Sequence, residues 1–527
     1  MVDSLPSKHS LGKLRSVQPD PLRADTLPAL VEAAAAAYGD REAIVDGATR
    51  IRFAELAGQV DGFARAVMAA GVEPGDRVAM WAPNGWRWVV AALGAVRAGA
   101  VLIPLNTRYK GAEAAYILNR TKARLLVTVD GFLGNDYVGM LSTEDVPHLE
   151  KTVLLNEWDE FIAGGARVTA EAAAARAAAI DGGDVSDIFF TSGTTGNPKG
   201  AMLTHAQAIA LYTTWSDLAG LRTGDRYLLV NPFFHTFGYK AGVLACLLRG
   251  ATIVPQAVFD VDASLGLIER ERITVMPGPP TLYTSILNHP DRGKYDLSSL
   301  RVAVTGATTV PVALIERLHA ELTLERVLTA YGLTETAGTA TMCRPDDTAE
   351  TVANTCGGPV PGVELAVVDA DGKPVPAGEP GEVLIRGYNV MVGYLDDPEA
   401  TKAAIDDDGW LHTGDIGVLD QRGYLKITDR LKDMYICGGF NVYPAEIEQV
   451  LAHHAAVAEA AVVGAPDERL GEVGRAVVVL RHGRTASAAD LVAWCRERLA
   501  NFKVPRTVEF VEALPRNASG KVIKSSL

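Results

Sequence analysis

Residues 191–200 read TSGTTGNPKG, between strand-like runs at 187–190 and 201–204. The ten residues hold three glycines and four hydroxyl side chains around one cation, Lys199. Glycine leaves backbone N–H groups accessible, so this composition suits a loop that binds a chain of phosphates. The segment is not a Walker loop, because Pro198 precedes the lysine and Gly200, rather than serine or threonine, follows it. The alternative interpretation is a surface hairpin without a ligand.

Four more motifs follow this segment in order. Residues 331–335 read YGLTE, 413–415 read TGD, 430–439 read RLKDMYICGG and 515–521 read PRNASGK. Together the five motifs resemble those of the adenylate-forming superfamily, which comprises acyl- and aryl-CoA synthetases, luciferases and peptide-synthetase adenylation domains. The resemblance covers about residues 26–527. It implies that a carboxylate attacks the α-phosphate of ATP, giving an acyl-adenylate and pyrophosphate, and that a thiol, usually that of CoA, then displaces AMP.

The pattern of apolar segments predicts an α/β protein with two domains. From residue 26 onward, helical patterns alternate with short apolar runs, as in parallel sheets with crossover helices. After residue 351, strand–turn–strand spacing with glycine-rich turns indicates a β-rich section. We expect a loose arm at 1–25 and a small mobile α+β domain at 432–527. Between them, a large AMP-binding domain at 26–431 is expected to combine mixed, mostly parallel sheets with a distorted β-barrel section.

The resemblance assigns one group of residues to the phosphates of ATP and to a metal ion. Glu335 would ligate Mg²⁺, a hard cation that prefers carboxylate, water and phosphate oxygens, and Thr194 belongs to the same expected metal site. Thr334 would contact the α-phosphate. The loop that would hold the β- and γ-phosphates consists of Thr191, Ser192, Gly193, Thr194, Thr195, Gly196 and Lys199.

A second group would bind the nucleoside. Tyr331, followed by Gly332, would stack on adenine, and Asp415 would accept hydrogen bonds from both ribose hydroxyls, as an ionised carboxylate can. Arg430 would support the same ribose. The segment expected to flank adenine contains small residues that allow close approach, although packing at a strand end would also explain them: Gly306, Ala307 and Thr308.

Four residues would serve the acid and the thiol step. Lys521 resembles the lysine that bridges the carboxylate and the α-phosphate, where a cation offsets two anions that must approach each other. Lys432 resembles the hinge about which the C-terminal domain rotates between the two half-reactions. Gly438 and Gly439 would line the tunnel for the pantetheine arm of CoA, and an ordinary β-turn is the alternative for this glycine pair.

His235 is the candidate that indicates the substrate class. In the superfamily that the chain resembles, amino-acid-activating members carry an aspartate in this region to bind the α-ammonium group, and residues 233–237 contain no acidic side chain. Acyl- and aryl-CoA ligases carry an aromatic residue or a histidine here, so the resemblance implies that His235 lies beside the substrate carboxylate. A purely structural histidine is the alternative. The expected pocket mixes aromatic and small residues, which suits an apolar carboxylic acid. Its members are His235, Thr236, Phe237, Gly238, Tyr239, Gly278, Pro279, Tyr283, Gly306, Ala330 and Gly338.

Three longer stretches narrow this class further. They are NPFFHTFGYKAGVLACL at 231–247, RITVMPGPPTLY at 272–283 and TDRLKDMYICGGFNVYPAEIEQVLA at 428–452. All three resemble actinobacterial CoA ligases of steroid catabolism, which implies a steroid-derived bicyclic propionate as the acid. A medium- or long-chain fatty acid is the alternative. An acyl-AMP ligase without CoA transfer is disfavoured because no unexplained insertion lies between Gly357 and Lys432.

Composition disfavours several other classes of protein. The chain carries 50 basic and 64 acidic residues, a net charge of −14, so nucleic acid is an unfavourable partner. No apolar run reaches the roughly 20 residues that a membrane span needs, and residues 1–20 lack the apolar core of a secretory signal. The five cysteines form no CxxC pair, which disfavours a zinc site and favours the reducing cytoplasm. The sequence leaves open whether the protein forms a homodimer.

Overall fold

The computed structural model describes residues 22–191, 198–306, 310–430, 433–437, 440–467, 470–499, 501–516 and 521–527. Most of the expected N-terminal arm lies outside these ranges. Arg430 is described through its backbone alone. The expected site residues outside the described part are Ser192, Gly193, Thr194, Thr195, Gly196, Ala307, Thr308, Lys432, Gly438 and Gly439.

The first large sheet has seven strands and is mostly parallel. Two pairings are antiparallel, because Lys199–Thr204 lies between Val185–Thr191 and Gly393–Tyr394. Val101–Pro104 is buried along its whole length, as expected of a parallel strand that is covered on both faces. In spatial order the strands are Gly393–Tyr394, Lys199–Thr204, Val185–Thr191, Val101–Pro104, Arg77–Trp81, Leu125–Thr128 and Lys151–Leu154.

The second large sheet consists of two four-stranded parts joined through Val275. This residue forms parallel bridges to Tyr227 on one side and to Val302 on the other. The strands of one part, in order, are Arg226–Leu229, Thr252–Pro255, Glu42–Asp46 and Thr49–Arg52. Those of the other part are Val302–Gly306, Arg326–Tyr331, Thr341–Met342 and Gly358–Pro359.

The β-rich section predicted after residue 351 is a four-stranded antiparallel sheet. Its turns carry the glycines that the sequence indicated, and Gly372 and Gly423 both have positive φ angles, of 75° and 79°. The strands, in order, are Val363–Val368, Pro380–Gly387, Leu411–Leu419 and Leu425–Arg430. A separate two-stranded hairpin pairs Gly131–Phe132 with Asn135–Asp136.

The C-terminal section forms a five-stranded sheet with two helices and a core of its own. Ile447, Leu451 and Val478 are among the buried residues of this core. The sheet is antiparallel except that Thr507–Phe510 runs parallel to Gly471–Leu480. Its other strands are Tyr435–Cys437, Phe440–Val442 and Val457–Asp467, and its helices are Pro444–Ala452 and Ala488–Arg496. The predicted α/β architecture, with a large N-terminal and a smaller C-terminal part, is confirmed.

Helices cover the sheets of the larger part, and several begin at a side-chain cap. Thr204 caps His205–Ala219, since its hydroxyl accepts from the backbone N–H of Gln207, whose side chain bonds back. Among the described residues, no helix is both long and apolar enough to cross a membrane. The remaining α-helices are Leu27–Tyr38, Phe53–Ala69, Trp86–Arg97, Gly111–Thr121, Tyr137–Leu141, Trp158–Gly164, Ala170–Ala178, Thr236–Gly238, Ala245–Arg249, Val261–Glu271, Pro280–Leu287, Val312–Leu322, Ala349–Asn354 and Pro398–Ala404. A π-helix spans Tyr239–Leu244, and 3-10 turns span Leu155–Glu157, Gly165–Arg167, Arg292–Lys294, Thr334–Thr336, Asn501–Lys503 and Lys524–Ser526.

His205 makes the stability of the larger part sensitive to acid. The side chain is buried, and its Nδ1 accepts from the backbone N–H of Leu27 at 3.1 Å. Burial, assisted by the positive charge of Lys240, lowers the pKa of His205 from 6.5 to about 4. Because the unfolded chain takes up this proton at higher pH than the folded chain, stability is full above pH 6.5 and falls as the pH drops towards 4.

We expect His205→Asn to remove this part of the acid sensitivity while its amide oxygen can still accept from Leu27. Between pH 7 and pH 4.5 the wild type should lose roughly 2–3 kcal/mol more unfolding free energy than the variant. Denaturant unfolding at both pH values measures the difference, and His482→Asn is the control for replacing an exposed histidine. Equal losses in wild type and His205→Asn would contradict the assignment.

Candidate active site

The glycine-rich segment 191–200 connects two paired strands of the seven-stranded sheet. Thr191 ends one strand and Lys199 begins the next, and the two residues are register partners. Gly200 permits this pairing, since a Cβ there would lie 2.8 Å from Cγ2 of Ile188. The connection has hairpin topology, so topology by itself does not separate a phosphate loop from the alternative of a plain surface hairpin.

Tyr394 joins the expected phosphate lysine to the expected metal ligand. Its hydroxyl donates to Oε1 of Glu335 at 2.8 Å, and Nζ of Lys199 lies 5.1 Å from the centre of its ring. The backbone fixes this arrangement, because Tyr394 pairs with Ala201 and the N–H of Met391 donates to the carbonyl of Glu335 at 2.8 Å. Burial, reinforced by the nearby Glu335 carboxylate, raises the pKa of Tyr394, so the phenol stays protonated and keeps donating.

No sequence motif indicated Tyr394. It lies 59 residues after Glu335, in a short edge strand whose pairing partner is not evident from local pattern. The tyrosine of a GYLDDP stretch is ordinarily interpreted as a turn residue. Only the antiparallel addition of Gly393–Tyr394 to the sheet brings it to the end of the glycine-rich segment.

Glu335 fits a magnesium site that is completed by phosphate oxygens. It is the second residue of the 3-10 turn Thr334–Thr336, which follows the strand that ends at Tyr331. In the ranges that the structure describes, no cluster of three or more histidine, cysteine, aspartate or glutamate side chains could hold a metal by itself. Mg²⁺ needs no such cage, since it is commonly bound by one or two carboxylates together with water and substrate phosphates.

The residues expected to bind the nucleoside lie together. The hydroxyl of Tyr331 donates to Oδ2 of Asp415 at 2.6 Å, and Asp415 is only 3% exposed. Asp415 is also the register partner of Arg430. On the neighbouring strand Gly306 pairs with Ala330, so the expected adenine-flanking segment adjoins the strand that carries Tyr331. The adenine and ribose candidates, which lie far apart in the sequence, therefore meet at one end of the second large sheet.

The expected acid-binding segment packs against the same strand ends. Gly338 has φ of 106°, and a Cβ there would lie 2.7 Å from Oγ1 of Thr236 and 2.6 Å from the hydroxyl of Tyr212. Gly332 in turn lies against Gly338, because a Cβ added at Gly332 would lie 2.5 Å from the carbonyl oxygen of Gly338. Gly238 is equally confined, with the carbonyl oxygen of Pro232 at 2.1 Å from such a Cβ. Glycine at these positions lets the acid and nucleotide segments touch.

The expected pocket residues divide by exposure. His235 is exposed, and Phe237, Pro279 and Ala330 are half-buried. Tyr239 and Tyr283 lie in the core instead, at 0% and 2% exposure. The hydroxyl of Tyr283 donates to the carbonyl of Met276 at 2.5 Å, which accounts for it as a packing residue. The backbone N–H of Gly278 donates to the carbonyl of Val304 at 3.0 Å, so Gly278 is hydrogen-bonded to the strand Val302–Gly306.

Lys521 lies in the C-terminal section. Its side chain is exposed, and it stands just before Val522, which bridges to Arg516. Val522 and Leu527 pack against a small cluster formed by Leu514 together with Ala461 and Val477 of the C-terminal sheet. Lys521 is therefore carried by the smaller part, whereas Lys199, Glu335 and the other described candidates belong to the larger one.

His235 presents a neutral imidazole with a defined tautomer. Its Nδ1 accepts from the backbone N–H of Phe237 at 3.1 Å, which leaves the proton on Nε2. Burial lowers the pKa of His235 although solvent reaches the side chain. An exposed imidazole with its proton on Nε2 can donate a hydrogen bond to an anion.

We expect His235 to be neutral and protonated on Nε2 at pH 7. Heteronuclear NMR of ¹⁵N-histidine-labelled protein reports both properties, and the His235→Gln spectrum assigns the signal. The midpoint of its titration should lie below 6.5, the value from which burial lowers it. An imidazolium at pH 7, or a proton on Nδ1, would contradict the geometry.

The chain is similar to known enzymes over almost its whole length. Residues 31–395 match the family described as AMP-binding enzyme, and residues 446–521 match the AMP-binding enzyme C-terminal domain. The 3-[(3aS,4S,7aS)-7a-methyl-1,5-dioxo-octahydro-1H-inden-4-yl]propanoyl:CoA ligases of Mycobacterium tuberculosis and Rhodococcus jostii are 56% and 54% identical to it. Each alignment covers 95% of this chain and 98% of the relative.

A solved structure shares both the fold and the extent of the chain. The O-succinylbenzoate coenzyme A synthetase of Bacillus subtilis, in complex with ATP and a magnesium ion, superposes with a TM-score of 0.80 at 29% identity. The match covers 96% of this chain and 99% of that one. The ordered motifs, the architecture and these similarities agree: the chain belongs to the AMP-binding enzyme family, and it is an AMP-forming acid–thiol ligase that uses ATP and CoA.

Proposed function

We propose that this ligase activates 3-[(3aS,4S,7aS)-7a-methyl-1,5-dioxo-octahydro-1H-inden-4-yl]propanoate. The observation that carries the proposal is the identity of 54–56% over 95% of the chain to two ligases named for this acid. The acid side of the site supports it, because exposed His235 lies near half-buried Phe237 in the chain. This pair offers one hydrogen-bond donor for a carboxylate and an apolar surface for a ring system.

In the proposed reaction the acid and ATP meet at the strand ends. Nε2–H of His235 orients the carboxylate without adding a positive charge that would weaken it as a nucleophile. Lys199 and residues 192–197 hold the β- and γ-phosphates, and Thr334 contacts the α-phosphate. Mg²⁺, when bound through Glu335, neutralises part of the phosphate charge. Tyr331 and Asp415, already joined by a hydrogen bond, present one preformed surface to the nucleoside.

The smaller part of the chain supplies the remaining groups in this proposal. Lys521 adds the cation that lets the carboxylate approach the α-phosphate. Lys432 is the proposed hinge between a domain at 26–431 and one at 432–527, and Gly438 and Gly439 line the path of CoA. We place the reaction in the cytoplasm, a location consistent with five cysteines that are all free.

Steady-state kinetics with matched acids test the proposed substrate. We expect kcat/KM for the indanedione propionate to exceed that for octanoate and palmitate by at least about a hundredfold, as a fitted ring pocket allows. Pyrophosphate release measures adenylation, and CoA consumption measures the thioester step on the same samples. A higher kcat/KM for octanoate or palmitate would overturn the substrate, and the loss of CoA consumption alone would indicate an acyl-AMP ligase.

Tyr394→Phe tests the proposed role of Glu335. The variant keeps the ring beside Lys199 but loses the hydrogen bond that orients the carboxylate, so kcat/KM for MgATP should fall roughly tenfold. The KM for the acid should change less. Tyr424→Phe is the matched control, because that hydroxyl donates to Asp347 at 3.1 Å, near the end of the β-rich sheet remote from Asp415. Equal effects of the two substitutions would refute a specific role for Tyr394.

A further inference from the structure

We infer that a buried ion pair between Lys240 and Asp187 sets the spacing between the acid-binding segment and the strand that leads into the phosphate loop. The inference rests on the proposed placement of His235 beside the acid and of residues 192–197 on the phosphates. It assigns both residues as positioning residues, which act through His235 and Thr191 rather than by touching a substrate.

The pair lies in the core. Nζ of Lys240 lies 2.8 Å from Oδ1 of Asp187, and both side chains are 0% exposed. Ser186 donates to the other carboxylate oxygen at 2.7 Å. The ammonium also lies 5.8 Å from the ring of Phe189, and its charge reaches His205. Within the part of the chain that the structure describes, Asp187 is the carboxylate with which Lys240 forms an ion pair, so their attraction contributes most to where the lysine side chain ends.

Asp187 belongs to a rigid element. It lies within Val185–Thr191 and pairs with Leu203 on one side and Leu102 on the other, so neighbouring strands hold it from both directions. Thr191, where the glycine-rich loop begins, lies four residues further along, about 13 Å at the rise of an extended strand. A displacement of Asp187 would therefore also displace Thr191, where the loop starts.

Lys240 belongs to the acid-binding segment. It follows His235 by five positions and is the second residue of the π-helix Tyr239–Leu244. Single π-turns are rare and concentrate at functional sites, because they rotate the side chains that follow them. The π-helix is also held by the strand Arg226–Leu229, because the hydroxyl of Tyr227 donates to the carbonyl of Ala241 at 2.9 Å. The ion pair fixes the π-helix to the strand Val185–Thr191.

Stability alone does not account for this pair. Two apolar side chains of similar volume could fill the same space without the desolvation of two charges. Burial lowers the pKa of Lys240 while Asp187 opposes that shift, which shows how unfavourable the site is for an unpaired ammonium. An ion pair differs from an apolar contact because it acts between two particular charged groups, here 2.8 Å apart. A carboxylate that must attack a phosphate in line needs such a fixed distance.

Two double variants test the inference against a matched control. Asp187→Leu with Lys240→Met replaces the charges by apolar groups, and Asp187→Asn with Lys240→Gln keeps polar groups without charge. Asp225→Leu with Arg301→Met removes another buried pair, whose side chains are 5% and 10% exposed. Arg301 adjoins the start of Val302–Gly306, at the end of that strand opposite to Gly306. Thermal unfolding, calorimetric ATP binding and the single-turnover rate of adenylate formation are measured at a temperature where all proteins are folded.

We expect the apolar variant to lose at least about tenfold in the rate of adenylate formation, as a small misplacement of reacting groups does. Its affinity for ATP should stay within about twofold, because no phosphate contact is removed. The uncharged polar variant should lose less, and the Asp225/Arg301 control should keep the wild-type rate per folded molecule. A wild-type rate in either Asp187/Lys240 variant would overturn the inference, and the polar variant decides alone if the apolar one does not fold.

These outcomes are separate from the proposed substrate. All rates are measured with whichever acid the wild type adenylates fastest. A preference for octanoate would overturn the indanedione proposal and would leave this comparison intact. A rate loss that matched the loss of folded protein in both variants would show a purely structural pair and would overturn the positioning role.

Discussion

Electrostatic repulsion between the two reactants is the constraint on which the arrangement of the site depends. A carboxylate must approach a triphosphate within a chain whose net charge is −14. Favourable groups therefore have to be concentrated where the anions meet. Lys199, Tyr394 and Glu335 form such a concentration, since one phenol holds a cation near its ring and a carboxylate on its hydroxyl. The carboxylate is useful there because it can recruit a divalent cation.

The sheets satisfy this constraint through the positions at which their strands end. In α/β proteins ligands bind beyond the carboxyl ends of parallel strands, and Gly306 and Tyr331 both lie at such ends. The β-rich section contributes Asp415, whose bond to Tyr331 joins it to the second large sheet. Close glycine contacts, such as Gly332 against Gly338, remove the side chains that would keep these segments apart. Architecture thus supplies proximity, and a few polar contacts supply orientation.

Sequence predicted the parts of this site that local chemistry specifies. The alternation of helical and apolar segments predicted the α/β fold, and the composition of residues 191–200 predicted a phosphate loop. Residues 331–335 indicated nucleotide chemistry only through their resemblance to the adenylate-forming superfamily. The sequence did not predict the role of Tyr394, because the residues of a short edge strand do not show which strand it will pair with. Tyr239 and Tyr283 were expected in the pocket, yet both are core residues, since spacing along the chain does not show which face of a helix meets the cleft.

Lys240 is a charged residue whose burial the sequence did not predict. A lysine within the apolar run at 231–247 is ordinarily interpreted as a solvated position, but here it is fully buried. The comparison with Arg301 is informative. Its partner Asp225 also accepts from Thr274 at 2.8 Å and from the backbone of Arg222 at 2.7 Å, and Arg301 donates to the carbonyl of Gly220 at 2.8 Å. That pair therefore has more compensating hydrogen bonds, although Nη1 of Arg301 has no hydrogen-bond partner among the described residues.

The Lys240–Asp187 pair has fewer compensating bonds and is therefore the less favourable of the two as a purely stabilising element. Proteins depart from fully satisfied interiors chiefly where function requires a particular arrangement. The less favourable pair is the one that lies between the acid-binding segment and the phosphate loop, whereas the pair with more hydrogen bonds, Asp225–Arg301, lies at the opposite end of its sheet. A geometric demand at the reacting groups explains this distribution, and a general need for stability does not.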